Sequence, residues 1–118
     1  MIRLLFLLIW INAILPHHVE LPYNPPKEIA VEVMTTAYTI GDGYTPSTVT
    51  ASGETPYVGS CAYNNVPIGT LLEIDGRLYV ANDRAHEDNV VDIYMDSKED
   101  CLEYGKQMKI IKIIKEDY

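Results

Sequence analysis

This sequence is poor in cysteine, in phenylalanine and tryptophan, and in positive charge. Two cysteines in 118 residues, Cys61 and Cys101, supply neither a four-thiolate zinc site nor the bridges of a disulfide-dense mini-fold. Lys and Arg number 9 against 17 Asp and Glu, a formal net charge of −8. Such a chain repels a phosphate backbone and is not a general nucleic-acid binder. The longest unbroken apolar run near the start, residues 4–11, is 8 long, well short of the about 20 that a membrane helix needs. There is no Ser-His-Asp order worth arguing, no phosphate-cradling glycine loop and no HExxH, so no cofactor is implied. What is present is ordinary globular composition, 47% hydrophobic and 22% charged, in a length that holds one domain. Nine Tyr stand against one Phe and one Trp. That balance fits rings that partly face water or a polar ligand.

Residues 1–15 begin Met-Ile-Arg, and the apolar run follows the single cation, which is the pattern of a signal peptide. Ala13 is the small residue of a weakly marked cleavage site. An uncleaved anchor, or an ordinary core helix or strand, is the alternative, and residues 1–15 are the chain's only candidate for membrane contact. The expected location is secreted or cell-envelope. Residues 16–28 carry four of the seven prolines and read as an extended linker. His17 and His18 lie in it without further ligands nearby and read as solvated. The folded domain is then 29–118.

Alternation of Ile29, Val31 and Val33 with Ala30, Glu32 and Met34 predicts a strand over 29–39. Residues 40–60 are a long Gly-, Thr-, Ser- and Pro-rich loop with room for a short strand at 48–51. A loop of that length in a small domain is usually functional. Asp75-Gly76 between the β-prone runs 70–74 and 77–81 predicts a hairpin. A polar loop, 84–89, leads to a strand over 90–95. Ser97 with Asp100 three residues on marks a helix start, and Gly105 its left-handed stop, with Cys101 and Leu102 facing the core. The last strand is 108–115. Six or so strands and one short helix make the expected fold mainly β, a compact six-stranded β-barrel. In an exported protein the two cysteines either bridge, adding about 4 kcal/mol through chain entropy, or remain two buried thiols.

Three aspartates fall at informative places. Alternation puts Leu78, Val80 and Asn82 on one face of their strand and Tyr79, Ala81 and Asp83 on the other. In the next strand Val91, Ile93 and Met95 are the apolar face, leaving Asp92, Tyr94 and Asp96 opposite. If the two strands are neighbours, Asp83 and Asp92 share a groove, where crowded carboxylates cannot all ionise and one serves as a general acid. Blander roles compete. Asp96 can cap the helix or answer its dipole, and Asp83 can stabilise the 84–89 turn. Asp92, an acid inside an apolar strand, most needs a reason. Tyr38 and Thr50, at the edges of the long loop, are candidates for sugar hydroxyls. Tyr94 shares the face of Asp92, and His86 between the acids is a ligand, a proton shuttle or merely solvated. Asp83, His86, Asp88 and Asp92 do not match an EF-hand, so no metal site is assigned.

The pieces Thr36-Ala37-Tyr38-Thr39, Thr50-Ala51-Ser52-Gly53, Val66-Pro67-Ile68-Gly69-Thr70, Val80-Ala81-Asn82-Asp83 and Val91-Asp92-Ile93-Tyr94-Met95-Asp96-Ser97, with Tyr104-Gly105 after them, occur in one order. In that order residues 33–114 resemble the three-aspartate (3D) domain family. This is a double-psi β-barrel found in membrane-bound lytic transglycosylase A and in stationary-phase and spore cell-wall proteins. The resemblance implies a peptidoglycan lytic transglycosylase acting on glycan strands. Such enzymes break the β-1,4 bond between N-acetylmuramic acid and N-acetylglucosamine without water and leave a 1,6-anhydro sugar. It implies Asp92 as acid/base, Asp83 and Asp96 as the other signature acids, and Tyr38 and Thr50 as groove-lining positions. One principal acid suffices because the attacking hydroxyl belongs to the substrate. A glycan-binding module on the same barrel, like the barwin and expansin relatives, is the alternative implied. Two stretches depart from the family pattern: 84–89 lacks the usual glycines, and Tyr63-Asn64-Asn65 replaces a Val-Asp-Pro-like approach.

Overall fold

The computed structural model describes residues 22–23, 25–41 and 48–115. The signal-like segment 1–15 and the first part of the linker, with His17 and His18, lie outside the described residues. Among the described residues six strands and one helix follow in order: β1 (Lys27–Tyr38), β2 (Ser60–Tyr63), β3 (Thr70–Ile74), β4 (Arg77–Asp83), β5 (Val90–Tyr94), α1 (Lys98–Tyr104) and β6 (Gln107–Lys115). The strands close into a barrel in the order β1-β5-β2-β4-β3-β6. The pairs β1–β5 and β2–β4 are parallel and the other four antiparallel. The described residues are thus mainly β, a closed six-stranded mixed barrel with one short helix, compatible with a double-psi barrel. Among the described residues no helix is long and apolar enough to cross a membrane.

Local chemistry explains several elements. Asp75 and Gly76 both have positive φ, 51° and 78°, the geometry of a two-residue hairpin turn whose twist suits the strands it joins. Ser97 caps α1 by accepting the Asp100 N–H at 3.1 Å, and the Gly105 N–H closes the other end on the Cys101 carbonyl. Inward residues of all six strands meet in one core that includes Val33, Cys61, Leu72, Ala81, Val91 and Ile111.

Four expectations are corrected. The sixth strand is Ser60–Tyr63 and not 48–51. Residues 50–54 instead form a tight turn, in which Thr50 N–H donates to the Glu54 carbonyl and Gly53 N–H to that of Thr50. Every residue of β2 is buried, so its sequence carries no alternation to read. β1 begins at Lys27, inside the expected linker, because Lys27 and Glu28 already pair with Lys115 and Ile114. Leu102 points to solvent, 72% exposed. The docking face of α1 is Cys101 and Tyr104, three residues apart, and Leu102 stands a third of a turn away. Gly105 has the expected positive φ but a ψ of −128°, outside the left-handed helical well. Cys61 and Cys101 are not bridged to each other; the first is buried and the second half-buried.

Candidate functional site

The two acids do not lie on adjacent strands. β2 runs between β4 and β5, and its Ala62 pairs with Asp92 on one side and Asp83 on the other. Thr36 of β1 pairs with Asp92 from beyond. The result is a row across four strands, Thr36–Asp92–Ala62–Asp83, on the outward face of the barrel wall. The two aspartates are two strand spacings apart along it, about 10 Å between backbones. Strict alternation would turn Asp83 inward with Ala81. A β-bulge supplies the missing residue: Cys61 pairs with Ala81, but Ala62 pairs with Asp83, so Asn82 is the extra residue of β4. The bulge brings Asp83 to the face of Asp92. Ala62 between them is itself buried.

Each acid is held. Asp92 Oδ1 accepts a hydrogen bond from Thr36 Oγ1 at 2.9 Å. Asp83 Oδ1 accepts from the backbone N–H of Ala51 at 2.9 Å and of Arg84 at 2.8 Å. Asp83 therefore performs the turn-stabilising role and also ties down the long loop. Ser52 N–H donates to the Asn82 carbonyl beside it, and Tyr57 N–H to Ser60 Oγ. Residues 50–57 thus lie against this part of the wall, which is why Ser60, Ala62 and Asn82 are buried.

The next row is aromatic. Tyr38 pairs with Tyr94, and their rings meet edge to face with centroids 5.6 Å apart. The Tyr38 hydroxyl oxygen is buried and has no hydrogen-bond partner among the described residues. Burial first, then the charges of Asp83 and Asp92, hold its proton far above the usual tyrosine range. Tyr38 is accordingly a neutral donor beside two carboxylates. Cys61, on the core side of the same wall, is pushed up to about 12 by burial and then by Asp92.

The remaining candidates are placed as follows. Thr50 is buried, and its hydroxyl lies 2.8 Å from Ser52 Oγ, so it holds the turn. His86 is exposed in the 84–89 loop. Asp96 is exposed beyond the end of β5, next to the Ser97 cap, and takes no place in the row. Among the described residues no group of three His, Cys, Asp or Glu would hold a metal ion. Sequence reasoning missed Thr36, the partner of Asp92, because only the parallel register of β1 with β5 puts it there.

The two stretches that depart from the family pattern are bonded to each other. Asn64 Nδ2 donates to the Ala85 carbonyl and Ala85 N–H to Asn64 Oδ1; Asn65 Nδ2 donates to the Asn89 side-chain Oδ1 and Asn89 N–H to Asn65 Oδ1. Arg84 Nη1 donates to the carbonyls of Tyr63 and Val66 at 2.9 and 2.7 Å. Side-chain amides here satisfy the backbone groups of a loop that has no glycine to turn on. No family model matches the chain, and no curated protein matches it either.

Proposed function

We propose that this barrel is an exported peptidoglycan lytic transglycosylase of the three-aspartate type, on a double-psi barrel, with Asp92 as its acid/base. The reading is supported by one observation above the rest. An aspartate in the middle of an apolar strand is turned outward, oriented by Thr36, and set in one row with a second acid and beside a buried tyrosine hydroxyl. In the reaction the Asp92 carboxyl gives its proton to the glycosidic oxygen as the bond to the muramic acid C1 breaks. The 6-hydroxyl of the same sugar attacks C1, and the Asp92 carboxylate takes the hydroxyl proton, which restores the acid. No water is consumed. Asp83 supplies negative charge along the row while positive charge develops at C1. Asp96, more exposed, contributes a screened share. A tethered nucleophile removes the need for a second carboxyl at a fixed distance.

Purified peptidoglycan incubated with the full chain should yield anhydro-muropeptides by mass spectrometry, and Asp92→Asn should lower the yield by about 10²- to 10⁴-fold with the melting curve unchanged. Absence of anhydro products from the wild type, or their undiminished formation by Asp92→Asn, would falsify the catalytic reading.

A second reading, a glycan-binding module that does not cut, is favoured by Asp83. Its Oδ1 is committed to two backbone N–H groups, and Asp96 stands apart, so the places of these two acids are ones that a binding module would equally need. Retention of peptidoglycan without products would select it.

A further inference from the structure

We propose that Tyr57 is the stacking platform of a saccharide subsite beside the aspartate row. The inference rests on the glycan-binding reading shared by both proposals above. Tyr57 lies in Thr55-Pro56-Tyr57-Val58-Gly59, part of the loop that the sequence leaves without regular structure. Its side chain is 43% exposed and is flanked by Val58 at 56%, with Val49 at 48% in the same loop. Single exposed apolar residues need no explanation, but Tyr57 and Val58 in succession make a small apolar patch on a turn bonded to β2 and β4, the strands that carry Ala62 and Asp83 of the row.

The backbone under that patch is fixed. Tyr57 N–H donates to Ser60 Oγ at 3.1 Å, Ser60 N–H to the Tyr57 carbonyl at 2.8 Å, and Val80 N–H to the Gly59 carbonyl at 2.8 Å. Pro56 is buried. Gly59, at φ +111°, has no side chain where the ring edge lies; a Cβ there would stand 3.6 Å from it. The ring edge therefore lies beside Gly59 of its own turn, and part of the residue is exposed. Ser60 Oγ also receives Asn82 Nδ2 at 3.0 Å, and Asn82 immediately precedes Asp83. The root of the ring is thus two hydrogen bonds from the residue next to the aspartate row.

A sugar ring shows hydroxyls at its edge and C–H groups on its face. Binding it takes polar partners for the first and an apolar plate for the second. Asp92 and Thr36 offer the first. A rigid aromatic, with few rotatable bonds to freeze, offers the second at small entropic cost. A large protein surface laid on the same patch would also have to desolvate the half-buried carboxylates, which a single glycan strand leaves wet. The tyrosine-heavy aromatic content acquires a use in this way.

The test is titration of the full chain with the β-1,4-linked tetramer of N-acetylglucosamine, alongside the peptidoglycan assay. Tyr57→Ala should weaken tetramer binding by about five- to tenfold, while Tyr57→Phe and Tyr57→Trp stay within about twofold. Leu102→Ala, a more exposed apolar site on α1, serves as control and should bind as the wild type. In the unmodified protein the ring proton resonances of Tyr57 should shift as the tetramer is added, a readout that does not depend on any variant folding. If the wild type binds or cuts and Tyr57→Ala does so equally, or the ring resonances stay still, this inference alone is overturned. Loss in Tyr57→Phe as deep as in Tyr57→Ala also overturns it, since the hydroxyl and not the ring would then matter. If the wild type neither binds the tetramer nor cuts peptidoglycan, the glycan reading falls and takes this inference with it.

Discussion

Asp92, Asp83 and Tyr38 differ in what can be read from their immediate neighbours. That Asp92 is outward follows from Val91 and Ile93 on either side of it, and both are buried in the core. That Asp83 joins it does not, because simple alternation sends Asp83 the other way and only the bulge at Asn82 reverses this. Tyr38 is singled out by the motif piece it stands in, and its unpartnered hydroxyl is visible only in three dimensions. On the other side of the wall, Cys61 is fully buried and its thiol is pushed up to about 12. It should therefore resist alkylation by a thiolate-specific reagent at pH 8 until the protein unfolds. Mass spectrometry of the labelled native protein checks this, and modification of Cys61 at the rate of a free thiol would contradict it.

Elements whose signals are local are the ones the sequence shows. The Asp75-Gly76 hairpin and the Ser97 cap need only residues within a few positions of each other. β2 is the opposite case: four residues buried on both faces, with neither periodicity nor a charged side. The seat of α1 is also non-local. Thr35 Oγ1 has one hydrogen and donates it to the Gln107 carbonyl at 2.6 Å, so the Tyr104 hydroxyl must donate to Thr35, also at 2.6 Å. Thr35→Val leaves the Tyr104 hydroxyl and the Gln107 carbonyl both unpaired, whereas Tyr104→Phe leaves the Thr35–Gln107 bond intact. The losses in urea denaturation should be about 2 kcal/mol for the first and about 1 kcal/mol for the second. Equal losses would mean that the Gln107 bond contributes nothing.

At the scale of the whole molecule, β6 is the closing strand: it pairs with β1 over nine positions and with β3 over three. A chain ending at Gly105 opens both of those strands and uncovers Val33 and Leu72. It should show no cooperative thermal transition by circular dichroism, and a sharp one would refute the view that closure holds the core. Stability should also decline with alkali. Cys61, Tyr38 and Tyr63 are all held above their ordinary values, burial being the first cause for each. The folded state therefore keeps these protons longer than the unfolded chain does. The contribution is complete below about pH 9 and is lost as pH rises from there through the folded values, with a limiting slope of about 1.4 kcal/mol per pH unit for a group ionised only in the unfolded chain. Melting midpoints should fall above pH 9, and Cys61→Ala should remove the earliest part of that fall. The sequence by itself determined a mainly β fold, its hairpin, its helix cap and the outward face of Asp92. Strand periodicity, turn φ and capping all act between residues close along the chain. The tertiary structure alone decided that β2 would separate the two acids, that a bulge would bring Asp83 back to their common face, that Thr36 would hold Asp92, and that the two unusual loops would brace each other. Those outcomes depend on the register between strands distant in sequence, which is set only when the barrel closes.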